Sequence, residues 1–432
     1  GSYVAQVKAS RFNAGEAVAV INNYRRGDWT TYVLHTTNYG KKWTNIVEDK
    51  GLEGYALSFV QDLVEPNLMF VGTEFGLYFT IDGGESWTKW TNGYPTVSTY
   101  DMVIHPREHD LVIGTFGRSF WVMDDIRPLR ALAAEGLDEL EKPIKAFDSP
   151  DAYLAVWRQA MGSRFAADGM YSGDNRPSGA MITYSVNKSL AKKESKGGSS
   201  PAASGRWGRR SNEEAVKVSI YDENGTNVRN LEVTPEHNGI NRMQWGLERK
   251  GMERPSRRAA RTNMPESRGG DVLPGTYKVV LSYAGDKYST MVTVHYDPRI
   301  EMPMEALVAT AALEDEAGML GAELAKAVQS LVTAEGIMKV NKGLLDADPR
   351  TAEELKAVQE AHKATQEELE SIFAMIFGSD DDDRQGIVRN PEVTVMSRLY
   401  GAGRYLGNDV DGPGVTEQNL LRLAKEAVAE AM

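Results

Sequence analysis

The chain contains no cysteine. Disulfides, thiolate metal sites and cysteine nucleophiles are therefore excluded, although the absence fixes no compartment. Histidine is scarce, at 6 in 432 residues. His105 and His109 are four apart, but Pro106 stands between them, so they are not expected to share a helix face as a metal pair would. His35, His237, His295 and His362 are isolated and read as packing or surface residues. No apolar run reaches the roughly 18 residues that a membrane-spanning helix needs. Walker, dinucleotide and zincin motifs are missing. Gly114 and Gly117 lie between predicted strands and open no helix. Excess positive charge is also missing. A formal charge of −12 and a pI near 5.2 favour solubility and argue against nucleic acid as the main partner.

The composition that remains is that of globular protein, 41% hydrophobic and 25% charged. A chain of 432 residues predicts about two to four domains at roughly 100–200 residues each. The stretch Phe79-Thr80-Ile81-Asp82-Gly83-Gly84-Glu85-Ser86-Trp87-Thr88 organises the first third. Its form is Ser/Thr-x-Asp-x-Gly-x-x-Trp, and each residue type suits a tight hairpin turn. Thr80 ends a strand. The Asp82 carboxylate can accept from N–H groups two or three residues on. Gly83 and Gly84 can take positive φ without a Cβ clash. Trp87 opens the next strand and can fold back over the turn.

An earlier copy is Thr36-Thr37-Asn38-Tyr39-Gly40-Lys41-Lys42-Trp43, and Asn38 and Asp82 lie 44 residues apart. A decayed third copy follows. Gly72-Thr73 recurs as Gly114-Thr115, 42 residues later, and the same step carries Asp82 onto Asp124. There the glycine and tryptophan positions hold Ile126 and Leu129. A period of about 40–45 residues is that of a four-stranded propeller blade. Short β-rich runs fit it: Val18–Ile21, Tyr32–Leu34, Leu68–Val71, Leu77–Phe79 and Leu111–Ile113.

The repeated motif resembles the Asp-box of BNR-type β-propellers, a group that includes sialidases, xyloglucan hydrolases, sortilins and photosystem assembly factors. The run from Ile113 through Asp124-Asp125-Ile126-Arg127-Pro128 to Arg130 resembles the last blade of bacterial sortilin-like proteins of the cell envelope. In such proteins the motif is a structural staple, so Thr36, Asn38, Gly40, Trp43, Thr80, Asp82, Gly84 and Trp87 are expected to hold turns. Three blades do not close a propeller, which takes about four to eight. The chain, opening on Gly1-Ser2, is therefore expected to be the C-terminal portion of a longer protein.

Beyond the blades (1–130) and a connector (131–177), residues 178–298 read as a β-sandwich. Its expected strands are Ala180–Val186, Ala215–Tyr221, Val228–Val233, Asn241–Leu247, Gly275–Ala284 and Tyr288–Tyr296. The order Val218-x-Ile220-Tyr221-Asp222-x-x-Gly225, Val228-Arg229-x-Leu231, Gly239-Ile240-Asn241-Arg242-x-x-Trp245 and Pro274-Gly275-Thr276-Tyr277 resembles immunoglobulin-like domains of the flagellar hook-cap type. That module spaces or docks, and it implies no chemistry. Two basic insertions, 187–212 and 249–270, have the composition of flexible loops. Residues 299–432 read as a helical hairpin or bundle. One helix is predicted from Met304 to about Leu345, and a second starts at Thr351 with Glu354 in the capping-box position. A third is predicted from Pro391 to near Tyr405, and a fourth from Thr416. The fold class is thus mainly β with an α-helical C-terminal region.

Hydrolysis would need two carboxylates across a cleft. Asp62, Glu74, Asp101, Asp124 and Asp125 are the carboxylates on offer. Trp29, Trp90, Tyr94, Asp124 and Asp125 are the candidates for facing a ligand; the catalytic set is not identifiable. Asp380-Asp381-Asp382-Asp383 lacks the alternating ligands and central Gly of an EF-hand loop, and reads as a solvated turn with weak divalent-cation binding at most. No other cofactor or metal is expected. The leading expectation is a non-catalytic scaffold, secreted, periplasmic or at the cell surface, that binds a protein or peptide through its propeller. The alternative is a glycoside hydrolase, or a glycan-binding protein, whose site lies mainly on further blades.

Overall fold

The computed structural model describes residues 2–156, 173–191, 214–259, 265–379, 393–407 and 412–432. The Asp380–Asp383 run lies outside them, as do Arg206, Arg209, Arg210 and Arg261 of the basic insertions. The architecture is antiparallel sheets followed by a helical C-terminal region. Among the described residues no helix is long and apolar enough to cross a membrane.

Strands β1 (Tyr3–Ala9), β2 (Ala17–Asn23), β3 (Asp28–Thr36) and β4 (Thr44–Asn45) form one meander in sequence order. A second meander comprises β5 (Ala56–Gln61), β6 (Met69–Thr73), β7 (Gly76–Thr80) and β8 (Thr88–Trp90). A third has three strands, β9 (Thr99–Ile104), β10 (Leu111–Thr115) and β11 (Phe120–Met123), and passes into α1 (Arg127–Glu135). The three sheets stack face to face. Val18, Val20 and Val33 of the first share a core with Phe59, Met69 and Val71 of the second. Phe70 and Leu77 of the second share another with Met102, Ile104, Leu111 and Ile113 of the third. The alternation of the strands places these β-branched and aromatic side chains on one face, and burying each is worth about 1.5–3 kcal/mol.

The stretch 144–154, within the range read as a connector, supplies two strands, β12 (Ile144–Ala146) and β13 (Ala152–Leu154). The remaining strands are β14 (Ala180–Val186), β15 (Val216–Tyr221), β16 (Asn227–Val233), β17 (Gly239–Trp245), the short pair β18 (Glu248–Lys250) and β19 (Arg268–Asp271), β20 (Gly275–Tyr283) and β21 (Asp286–Tyr296). One sheet has the order β12-β14-β17 and the other β13-β21-β20-β15-β16, with β13 parallel to β21. A single core lies between them and includes Ile182, Tyr184, Ile220, Val279, Leu281 and Trp245. Trp245 is fully buried and donates from Nε1 to the Glu248 carbonyl oxygen at 3.0 Å. The turn Asp222–Gly225 between β15 and β16 has Gly225 at φ 78°, and the Asp222 carboxylate accepts from Asn224 N and Thr226 N.

Helix α2 (Met304–Asp346) is 43 residues long, and α3 (Ala352–Phe377), α4 (Val395–Leu406) and α5 (Val415–Ala431) follow. Leu324 and Val328 of α2 meet Phe373 and Ile376 of α3, Val395 at the start of α4 and Val428 of α5 in one core. Thr351 closes a capping box at the start of α3, accepting from Glu354 N while Glu354 accepts from Thr351 N at 2.8 Å.

Candidate functional site

The two meander turns that carry the repeated motif make the same hydrogen bonds. Thr80 Oγ1 accepts from Asp82 N (3.3 Å) and Gly84 N (3.0 Å), and Thr36 Oγ1 accepts from Asn38 N (3.4 Å) and Gly40 N (3.1 Å). Asp82 accepts from Ser86 N, and Asn38 from Lys42 N, four residues on in both cases. This reach is two residues longer than that of a simple Asx-turn. Burial works against the Asp82 charge, but the Ser86 hydroxyl and amide and the Thr80 hydroxyl outweigh it and hold its pKa below the usual carboxylate range. Trp87 and Trp43 lie over Gly84 and Gly40, with ring atoms 3.7 Å from where a Cβ would sit. Trp43 Nε1 donates to the Gly40 carbonyl oxygen of its own turn at 3.1 Å, whereas Trp87 Nε1 donates to the Ile46 carbonyl oxygen, after β4, at 3.3 Å.

The opposite ends of the same strands are different. Tyr24 sits in a short 3-10 turn between β2 and β3, Trp29 opens β3, and Tyr55 precedes β5. Tyr24 and Tyr55 stack with ring centroids 4.5 Å apart, and Trp29 tilts against Tyr55 at 5.8 Å. Arg25 lies over the Tyr24 ring at 5.6 Å. Burial pushes the Tyr55 hydroxyl up, and nearby Glu74 adds to the shift. The row continues across the next two meanders. Glu74 N donates to the Tyr55 carbonyl oxygen at 3.1 Å, Ser98 Oγ to the Glu74 carbonyl oxygen at 3.2 Å, and Phe116 N to the Ser98 carbonyl oxygen at 2.9 Å. Tyr100 and Phe116 tilt together at 6.0 Å. Trp29, Phe75, Tyr100 and Phe116 are exposed. The result is a strip of aromatic rings along one end of three sheets, with Arg25 and Glu74 beside it. Such rings bind flat apolar surfaces and cations.

The five residues singled out from sequence as ligand-facing are not brought together. Trp29 belongs to the strip and is 56% exposed. Tyr94 is buried, with its hydroxyl 2.7 Å from Thr99 Oγ1 and its ring edge-on to Trp121. Trp90 packs edge-on against Phe79 and donates to the Asn92 carbonyl oxygen. Both are wall material between sheets, because the short β8 and the loop after it fold inward over the second core. Asp125 is buried, takes φ 50°, and accepts from Arg127 Nε at 2.6 Å. Its carbonyl oxygen accepts from Arg242 Nη2 of β17 at 2.8 Å, so the residue joins the third meander to the β12-β14-β17 sheet. Asp124 stands beside it. Burial and Asp110 push its pKa up, and Arg176 and Arg242 pull it down.

Asp62 and Asp101 have structural partners. Asp62 accepts a bidentate pair from Arg130 Nε and Nη2, each at 2.7 Å, and caps Val64 N and Glu65 N. Asp101 accepts from Gln6 Nε2 at 3.0 Å. His105 accepts from Glu108 N while His109 faces Arg130, so the two histidines serve different places. Among the described residues no group of three or more His, Asp or Glu could hold a metal ion. Sequence reading missed Tyr24, Tyr55 and the Arg242 junction. One signal for the strip was present: Phe75-Gly76 and Phe116-Gly117 both follow the repeated Gly-Thr.

No family model matches the chain, and no curated protein matches it. Solved structures do overlap it. The GH74 enzyme of Niastella koreensis is 14% identical, the match covering 67% of this chain and 38% of that one at a TM-score of 0.25. For the GH74 xyloglucanase from Xanthomonas campestris the values are 11%, 72%, 40% and 0.22. For the extracellular domain of a one component system of B. thetaiotaomicron they are 10%, 68%, 37% and 0.17. The chain spans about two fifths of the length of these structures, and similarity this slight carries neither an activity nor a ligand across to it.

Proposed function

We propose that this chain is a non-catalytic scaffold, secreted or associated with the cell envelope, that binds a protein or peptide through the aromatic strip. In this reading residues 1–130 are blades of an Asp-box propeller of the sortilin-like kind. Residues 178–298 are an immunoglobulin-like spacer, with 131–177 leading into it, and 299–432 are a helical hairpin or bundle. The observation that carries the reading is the stacked Tyr24–Tyr55 pair, from the turn between β2 and β3 and the residue before β5, with Trp29 and Arg25 at its edge. Tyr, Trp and Arg are the residue types that dominate protein-binding hot spots. The carboxylates nearby are mostly committed to turns and ion pairs, which leaves Glu74 as the acid beside the strip. A glycan is the second reading, because the exposed rings of Tyr100 and Phe116 suit the apolar faces of sugars.

Selection of random displayed peptides on the full chain tests the first reading, with reducing-sugar release from a polysaccharide panel measured in parallel. Selected peptides are expected to lose at least about tenfold in affinity on Trp29→Ala, since a hot-spot ring is worth roughly 2 kcal/mol or more. Sugar release that disappears in Glu74→Gln would sink the scaffold and establish a hydrolase. Polysaccharide binding without release, lost in Trp29→Ala or Phe116→Ala, would favour the glycan reading.

A further inference from the structure

Where α2 passes the ends of the two sheets built from β12 to β21, the described residues line a cavity of about 420 Å³. That is within the roughly 300–1,000 Å³ of small-molecule sites. None of its lining belongs to residues 1–130. Leu307, Thr310, Ala311 and Glu314 form the helix wall, and their spacing of three and four puts them on one face of α2. Leu154 of β13, Leu247 after β17 and Asp271 at the end of β19 belong to the sheet wall, and Leu406 ends α4 against the same space. The two walls are fastened beside the cavity. Arg249 of β18 donates from Nη1 to both Asp315 oxygens at 2.8 and 2.9 Å, and from Nη2 to Glu314 Oε2 at 3.2 Å. Met252 packs on Gly318 of α2, its sulfur 3.0 Å from where a Cβ would sit.

The lining is mostly apolar, with three polar groups short of partners. Thr310 Oγ1 is buried and has no hydrogen-bond partner among the described residues, although most buried polar groups have one. Glu314 gives Oε2 to Arg249, and its Oε1 accepts from no described residue. The Asp271 carboxylate accepts from none either; Arg249 Nε reaches only its main-chain oxygen, at 3.1 Å. Glu314 leaves no room for a Cβ on Gly270, the residue before Asp271, so the two carboxylates are neighbours. Burial pushes the Glu314 carboxyl up. Arg249 pulls it down, and Asp271 and Asp315 add to the rise. Asp271 keeps exposed surface, but the protein crowded around its carboxyl, and then Glu248, raise its pKa against Arg249. The positive charge of one arginine is spread over too many acids.

We propose that this cavity binds an organic ammonium ion with an apolar body. A primary ammonium carries three N–H donors, and Thr310 Oγ1, Glu314 Oε1 and the Asp271 carboxylate are three acceptors. Thr310 and Glu314 stand one helical turn apart on the same wall, and the body lies against Leu154, Leu247, Leu307 and Leu406. Other ligand classes fit less well. An anion would meet two carboxylates. A purely apolar molecule would leave all three acceptors without donors. A metal ion would need three or more His, Asp or Glu together, and the described residues hold no such group.

Calorimetric titration of the full chain with phenethylamine, phenethyl alcohol and phenylacetate tests this. Phenethylamine is expected to bind, and the alcohol and the acid at least about tenfold more weakly, because charge-assisted hydrogen bonds are roughly twice as strong as neutral ones. Glu314→Gln keeps the shape and removes the charge, and is expected to weaken the amine about tenfold. Thr310→Val removes the hydroxyl and is expected to weaken it about threefold. Ala311→Phe fills the cavity without altering a charge and is expected to abolish binding. It decides the matter if Glu314→Gln loosens the Arg249 contact and lowers the unfolding midpoint. No binding of phenethylamine overturns the proposal and leaves the cavity as a gap in packing. Equal affinity for the alcohol overturns it too, because the carboxylates would then take no part. Amine binding that survives Glu314→Gln and Ala311→Phe but falls on Trp29→Ala overturns it by placing the cation on the aromatic strip. The cavity and the strip are built from different elements, so either reading can fail alone.

Discussion

A methyl group at Gly72 would fall 2.2 Å from the Ser58 hydroxyl oxygen and 2.5 Å from the Thr99 carbonyl oxygen. Those two atoms already form a 2.9 Å hydrogen bond between neighbouring sheets. Gly72→Ala is therefore expected to cost about 2–3 kcal/mol, read as a lower urea midpoint, because both backbones would have to separate. Asp62 and Arg130 work at the same scale. The Asp62 carboxylate is buried, and burial alone would raise its pKa, but Arg130 and the Val64 and Glu65 amides hold it low. A depressed carboxylate contributes stability above its unfolded pKa, near 4, and loses it as pH falls through the folded value. Asp62→Asn is expected to cost about 3 kcal/mol at pH 7 and less in acid. His109 acts in the same direction. Burial, Arg130 and Arg127 lower its pKa, opposed by Asp125 and Asp62. The fold thus holds a neutral imidazole, and stability is lost as pH falls below the unfolded value near 6.5. His109 has φ 60°, which Asn tolerates, so His109→Asn should keep the fold and flatten the stability profile between pH 7 and 5.

At the scale of elements, local signals mark boundaries and miss long-range pairing. Thr351 and Glu354 announced α3 because a capping box is written in four consecutive residues. Thr351→Ala should remove about 1 kcal/mol, measured as a drop in α3 amide protection in hydrogen exchange. The meander strands were legible for the same reason: alternation and turn glycines are local. By contrast β12 and β13 are three residues each, and β13 pairs in parallel with β21, with Ala152 opposite Val294. Nothing inside Ala152–Leu154 encodes a partner so distant. The aromatic strip was half legible. Trp29 reads from sequence as a ligand-facing aromatic, but Tyr24 and Tyr55 flank strands of different sheets and meet only after the sheets stack. Tyr94 misled for the converse reason: a tyrosine in a loop of Gly, Pro and Thr looks exposed until the loop folds back on the core.

At the scale of the molecule, the blades and the sheets that follow are joined through charge. Arg242 of β17 donates to the Asp125 carbonyl oxygen at 2.8 Å and to Thr183 Oγ1 at 3.1 Å, and faces Asp124, Asp125 and Asp110. Asp124 is the member whose pKa is raised, by burial first and by Asp110 second. A raised carboxylate costs stability while it is charged, and the cost disappears as pH falls through the folded value. Arg242 offsets part of that cost at neutral pH. Arg242→Ala should therefore destabilise by about 1–3 kcal/mol at pH 7 through the lost charge-assisted hydrogen bonds, with the freed repulsion added. The loss should shrink as the pH falls and Asp124 takes up its proton, which leaves only the missing hydrogen bonds. Arg242→Lys keeps a positive charge but not the two-pronged reach, so it should lose stability by an amount that varies little with pH. Urea unfolding of the three proteins at pH 7 and pH 4.5 separates these outcomes. An equal loss for Arg242→Ala at both values would mean that the junction is held by geometry alone. In that event Asp124 would take no part in coupling the blades to the rest of the chain.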